Sequence, residues 1–102
     1  MKGEHLGEFE EWVLLALRHR GGGAGVVDVQ ELLESMAGRR ASMGSIYSSL
    51  DRLHRKGFVT STLGDPENRK GGKRRRLYSL TPAAEARLAH LRDTRERLWR
   101  TV

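Results

Sequence analysis

The apolar residues change period at Gly57, and few small folds accommodate such a change. Upstream, Ile46, Leu50 and Leu53 recur at the spacing of one helix face behind Ser42, a natural N-cap. Downstream, Phe58-Val59-Thr60-Ser61-Thr62-Leu63 is rich in strand formers, and the preference returns at Leu77-Tyr78-Ser79-Leu80. Pro66, Gly71 and Gly72 supply turn residues between the two runs, so a β-hairpin is predicted with RKGGKRRR as its tip and return limb. That basic stretch is not a tail, because a strand and a helix follow it. Nor is it a phosphate-binding P-loop: Glu67 stands where the motif needs its first glycine and Arg74 where it needs Ser or Thr.

Helices are expected on both sides of this core pattern. Leu6, Phe9, Val13, Leu14 and Leu17 mark the first, closing at His19-Arg20 before Gly21-Gly22-Gly23. The GGGAG run follows a helix and lacks a Gly-Lys-Ser/Thr ending, so it reads as a flexible turn. A second helix is predicted to start at Asp28 as its cap, with Glu31 completing a capping box, a stripe of Val29, Leu32, Leu33 and Met36, and a stop at Gly38. Thr81-Pro82 opens a fourth, whose apolar positions Ala84, Leu88, Leu91, Leu98 and Val102 are interrupted by Arg95 and suit a partner helix. The order helix, helix, helix, hairpin, helix is that of a winged helix-turn-helix, mainly α with a small β-hairpin. Residues 1–80 are assigned to this domain and 81–102 to a C-terminal dimerisation helix packed on the first helix.

Composition narrows the function. A chain of 102 residues with 37% hydrophobic content builds one compact domain without room for a deep catalytic cleft. It has no cysteine for a disulfide or thiolate metal site, and no apolar run of about 18 residues to cross a bilayer. The first residues lack the apolar core of a signal peptide, which makes the cytoplasm the expected location. His5, His19, His54 and His90 are scattered without metal-ligand spacing, and no nucleophile stands beside a base. No enzyme activity, metal or cofactor is expected.

The net charge of +6 is segregated. Residues 1–38 carry three Lys/Arg against seven Asp/Glu, residues 39–76 eleven against three, and residues 77–102 five against three, giving −4, +8 and +2. A concentrated positive field is the footprint of a nucleic-acid binder, since surface cations displace counterions condensed on phosphates. Within that segment the third helix should present Ser42, Gly44, Ser45, Tyr47, Ser48, Ser49 and Arg52 on its outer face. Glycine and serine are poor helix formers, at up to about 1 kcal/mol each against alanine. Small hydroxyl-bearing side chains nevertheless suit a surface that approaches a DNA groove, with Arg52 available for guanine. Arg69, Lys70, Lys73, Arg74 and Arg75 on the wing would grip phosphates or probe the minor groove.

The stretches LGEFEEWVLLAL, SMGSIYSSLDRLHRKGFV and GGKRRRLYSLTPAAEARL together resemble the PadR family of bacterial transcriptional regulators, in the short form that ends in a single helix. The most specific portion is Gly44, Tyr47, Leu50, Arg52, Leu53 and Gly57, followed by the basic wing and Tyr78-Ser79-Leu80-Thr81-Pro82. Two departures stand out: Gly25-Val26-Val27 replaces a Tyr-Gly-Tyr-type motif, and Ala84-Glu85 replaces a glycine after Thr-Pro-Ala. The resemblance implies a homodimeric repressor that binds double-stranded DNA at an inverted-repeat operator and leaves it when an effector binds. Leu6, Phe9, Trp12, Leu88, Leu91, Leu98 and Trp99 are the expected dimer contacts. Trp12 and Trp99 are the candidates to stack on a small aromatic effector. Two other functions share this architecture: a winged helix that binds RNA, and one that serves only protein contacts.

Overall fold

The computed structural model describes residues 5–64 and 74–101. Helix α1 spans Glu8–Arg20, α2 Val26–Ala37 and α3 Met43–Arg55. Strands β1 (Val59–Leu63) and β2 (Arg76–Leu80) form an antiparallel pair, with Val59 opposite Leu80 and Leu63 opposite Arg76. Helix α4 spans Pro82–Trp99. The winged helix-turn-helix order is therefore present, mainly helical with one two-stranded hairpin.

One core joins all six elements. Val13, Leu14 and Leu17 of α1, Val29 and Leu33 of α2, and Ile46, Leu50 and Leu53 of α3 meet Phe58, Val59 and Tyr78 of the hairpin region. Ala84 and Leu88 of α4 close the core from one side. Leu88, one of the expected dimer contacts, is buried within its own chain's core. Thr81 fixes where α4 begins: its hydroxyl donates to the Gly57 carbonyl at 2.8 Å and accepts from Ala84 N–H at 3.2 Å.

The GGGAG segment is a docked connection, not a flexible turn. Gly21, Gly22 and Gly23 all have positive φ (92°, 94° and 64°), which turns the chain sharply out of α1. Ala24 then pairs with Tyr78 through two backbone hydrogen bonds of 3.1 and 2.8 Å, and Gly23 N–H donates to Ser79 Oγ at 2.9 Å. The segment thereby adds one residue to the sheet on the side of β2 and seats the wing against the helices.

Helix α2 starts three residues before the position predicted from sequence, with its cap at residue 25 instead of 28. Gly25, in extended conformation, is its cap, and Asp28 reaches back to accept from Gly25 N–H at 2.8 Å. Asp28 closes the first turn from inside the helix, a role that capping preferences assign to the N3 position. Met36, expected on the buried stripe, is exposed.

Alanine at Gly21 or Gly22 is expected to cost about 1–2 kcal/mol of stability through the left-handed backbone alone. The loss should be larger at Gly22, where an added Cβ would sit 3.3 Å from Ser79 Oγ, than at Gly21, where the space is open. Urea unfolding of the two variants measures the difference.

Candidate nucleic-acid interface

Helix α3 turns one face inward through Ile46, Leu50 and Leu53 and leaves Gly44, Ser45, Tyr47 and Ser48 exposed. Ser42 caps it: its Oγ accepts from Ser45 N–H at 3.0 Å and lies 2.9 Å from Ser45 Oγ. A Cβ on Gly44 would meet only Ser42 Oγ, at 4.0 Å, so internal packing does not require a glycine there. Phe9, Ser42, Gly44, Ser45, Ser48, Ser49 and Arg52 line a shallow depression along the start of α3. Ser49 is the exception to the predicted outer face. It is fully buried, and its hydroxyl accepts from Arg52 Nη2 at 3.2 Å, so it cannot reach an external groove.

Arg52 is held from within. Its Nε donates to Glu10 Oε2 at 3.1 Å, and Lys56 Nζ donates to Glu10 Oε1 at 2.9 Å and to the His5 carbonyl at 2.7 Å. Glu10 also accepts from Gly7 N–H at 3.1 Å, which closes the first turn of α1. Burial opposes the charge on Glu10. The hydrogen bonds from Lys56, Gly7 and Arg52, together with the Lys56 charge, outweigh it and hold the carboxyl below its ordinary value. One α1 carboxylate thus fixes the rotation and height of α3.

Asp28 does the same for the wing. Beyond Gly25 it binds Arg75 Nη2 at 2.8 Å and Arg20 Nη1 at 3.0 Å. Burial again opposes its charge, and the contacts with Gly25, Arg20 and Arg75 lower its pKa overall. Arg75 covers Gly25 so closely that a Cβ there would fall 2.6 Å from its guanidinium. Arg75 is therefore a structural strut of the hairpin base rather than a free phosphate grip. Arg74 is exposed; Arg69, Lys70 and Lys73 lie outside the described residues.

The residues expected at a dimer contact fall into separate places. Leu6 and Phe9 are half-buried against the chain's own core, and Phe9 borders α3. Arg39 stacks over Phe9 and Trp12, 4.9 and 5.7 Å from the ring centres. Trp12 lines a groove between α1 and α2 with Leu32, Leu33 and Met36, whereas Trp99 lines another between α1 and α4 with Leu88 and Ala89. Leu15 borders both grooves, so the two tryptophans do not meet within one chain. Leu91 is half-buried, and Leu98 and Trp99 stand 80% and 83% exposed. Two α1–α4 ion pairs, Arg95 with Glu11 and Arg18 with Glu85, hold α4 on α1.

Residues 13–90 match the sequence model of the transcriptional regulator PadR-like family. The chain belongs to that family. No curated protein matches the chain. Among solved structures, this PadR-family fold is similar to a PadR-like transcription factor from Bacteroides fragilis, at 24% identity over 88% of this chain and 82% of that one, with a TM-score of 0.73. It is also similar to Bacillus subtilis PadR in complex with operator DNA, at 21% identity over 92% of this chain and 48% of that one (TM-score 0.66). A third is Bordetella bronchiseptica BpsR, whose DNA binding is regulated by 6-hydroxynicotinic acid, at 23% identity over 95% and 61% (TM-score 0.68).

Three residues of this PadR-family site escaped sequence reasoning: Glu10, Lys56 and Asp28 in its actual role. The two carboxylates do carry a signal, the repeated pattern Gly7-Glu8-Phe9-Glu10 and Gly25-Val26-Val27-Asp28, a glycine cap followed three residues later by a carboxylate, whereas Lys56 lies outside it. Because both carboxyls are lowered in the folded state, the stability they contribute is present above the ordinary carboxylate range and is lost as pH falls through the folded values. Urea unfolding is therefore expected to give a plateau from neutral pH to about pH 5 and a decline below it. The curve of a Glu10→Gln variant should start lower and converge with the wild type in acid.

Proposed function

We propose that this PadR-family chain is a homodimeric, sequence-specific transcriptional repressor that acts in the cytoplasm. It binds an inverted-repeat operator and leaves it when a small effector binds. The observation that carries the reading is the outward face of α3, where a glycine unnecessary for packing adjoins Ser45, Tyr47 and Ser48. A face so smooth admits a groove closely, and its hydroxyls can bond phosphates or base edges. In a two-fold dimer the two α3 helices enter successive major grooves, with half-site centres one helical turn, about 34–36 Å, or a multiple of it, apart. The wing, through Arg74 and the basic residues 69, 70 and 73, tracks the flanking backbone.

Support for the partner copy comes from apolar surface left uncovered in one chain: Leu15, Met36 and Trp99 are exposed along the two α1 grooves, and Leu98 is exposed on α4. Trp99 offers a flat face to a planar aromatic effector. Regulation of BpsR by 6-hydroxynicotinic acid is a precedent for such a ligand on a similar fold. Titration with planar aromatic acids, followed by tryptophan fluorescence and operator release together, tests this part; quenching without release rules those compounds out as effectors.

The decisive experiment incubates the chain with fragmented genomic DNA from its source at physiological salt and sequences what is retained. A shared inverted repeat is the expected outcome. Uniform recovery that fades smoothly with salt would move the reading to phosphate binding alone, with duplex RNA the next ligand to try and a protein partner after it. On the recovered operator, Tyr47→Ala and Ser48→Ala are expected to cost about 1–3 kcal/mol in preference for operator over random duplex. Arg74→Ala should weaken both duplexes alike and flatten the salt slope by about 0.9.

A further inference from the structure

We infer that Glu10 is a specificity-determining positioning residue: a built-in substitute for a DNA phosphate that occupies Arg52 and Lys56 when the operator is absent and aims Arg52 when it is present. The inference rests on the DNA-binding reading above and deepens it. Four observations support it. Glu10 is buried against the last turn of α3 and touches both cations at salt-bridge distance, 3.1 and 2.9 Å. Arg52 has two environments at once, since its Nε and Nη2 bond inward to Glu10 and Ser49 while its side chain, 49% exposed, lines the depression beside Ser45 and Ser48. Lys56 is mostly covered and bonded also to the His5 carbonyl, so of the two cations Arg52 is the one with an edge open to DNA. Finally, the Gly7 N–H keeps Glu10 anchored to α1 whether or not Arg52 stays.

The consequence follows from charge. On random DNA a phosphate arriving at the depression must compete with Glu10 for Arg52 and is repelled by the carboxylate beneath it, so non-specific binding is weakened. On the operator, base contacts by α3 bring the groove to full depth. There an Arg52 already fixed through Nε presents its outer edge without a search among rotamers. A carboxylate in this position therefore lowers the background and sharpens the target at the same time. A purely structural residue would affect both kinds of DNA in one direction.

The test compares the full-length wild type with Glu10→Gln, using a duplex carrying the recovered inverted repeat and a scrambled duplex of equal length, across a series of salt concentrations. Glu10→Gln is expected to bind the scrambled duplex more tightly, with a salt slope steeper by about 0.9 for the freed cation, and the operator less tightly. The operator-to-scrambled ratio should fall about tenfold. Adding Arg52→Ala should abolish the gain on scrambled DNA, because that gain runs through Arg52; a gain that persists would assign it to the general field and overturn the inference. If Glu10→Gln does not fold, Ser49→Ala decides, since it releases the inner edge of Arg52 without touching α1: a falling ratio supports the inference and an unchanged one overturns it. A wild type that fails to distinguish the two duplexes overturns the proposed function and this inference with it. Discrimination by the wild type, with both affinities shifted equally in Glu10→Gln, overturns the inference alone.

Discussion

The candidate interface depends on a buried carboxylate that never reaches it. Glu10 closes the first turn of α1 and holds Arg52 and Lys56 of the third helix region, so the orientation of the exposed Gly44, Ser45 and Ser48 face is set from α1. Hydrophobic packing through Ile46, Leu50 and Leu53 brings α3 to the core, but it is non-directional and leaves the helix free to slide or rotate slightly. Two charge-assisted hydrogen bonds to one carboxylate, itself anchored to α1 by the Gly7 N–H, remove that freedom. A buried charge is tolerable there because its lone pairs are occupied, and no buried side-chain N or O among the described residues lacks a partner.

The wing is secured by a second use of the same device. Asp28 sits at the equivalent place in α2 and ties the base of β2 to α2 and to the end of α1 through Arg75 and Arg20. The Ala24–Tyr78 bridge adds a directional backbone contact to a hairpin that, as two strands, would be marginal in water. The reader helix and the wing are therefore both referenced to the α1–α2 corner. A change in the α1–α4 groove that tilted α1 would be transmitted to both at once.

Much of this was legible in the sequence, and the exceptions share a cause. Period and turn chemistry located α1, α3, both strands and α4, because Ser42, Gly57 and Thr81-Pro82 punctuate the chain with unambiguous local signals. The start of α2 was missed because Asp28 satisfies a cap rule at two positions, and only the extended Gly25 settles which one. Ser49 was placed on the outer face because serine is small and polar. Its burial follows from the three-dimensional packing, where its hydroxyl meets Arg52, and not from the helix period alone. Leu88 was assigned to a partner because a helix period cannot say whether the surface it meets belongs to the same chain.

The same distinction alters the meaning of the charge segregation. The +8 of residues 39–76 counts Arg52, Lys56 and Arg75, yet each is engaged with a carboxylate of residues 1–38, the buried Glu10 or the half-buried Asp28, and Arg55 pairs with Asp51. Part of the positive block is therefore the complement of the acidic block, folded against it as internal scaffolding. Within a Debye length, about 8 Å at physiological salt, an approaching polyanion meets only the part of this charge left uncompensated. On the proposed DNA-binding function, the cations not consumed internally make the contact, and their placement relative to the smooth face of α3 determines whether a phosphate or a base is met first.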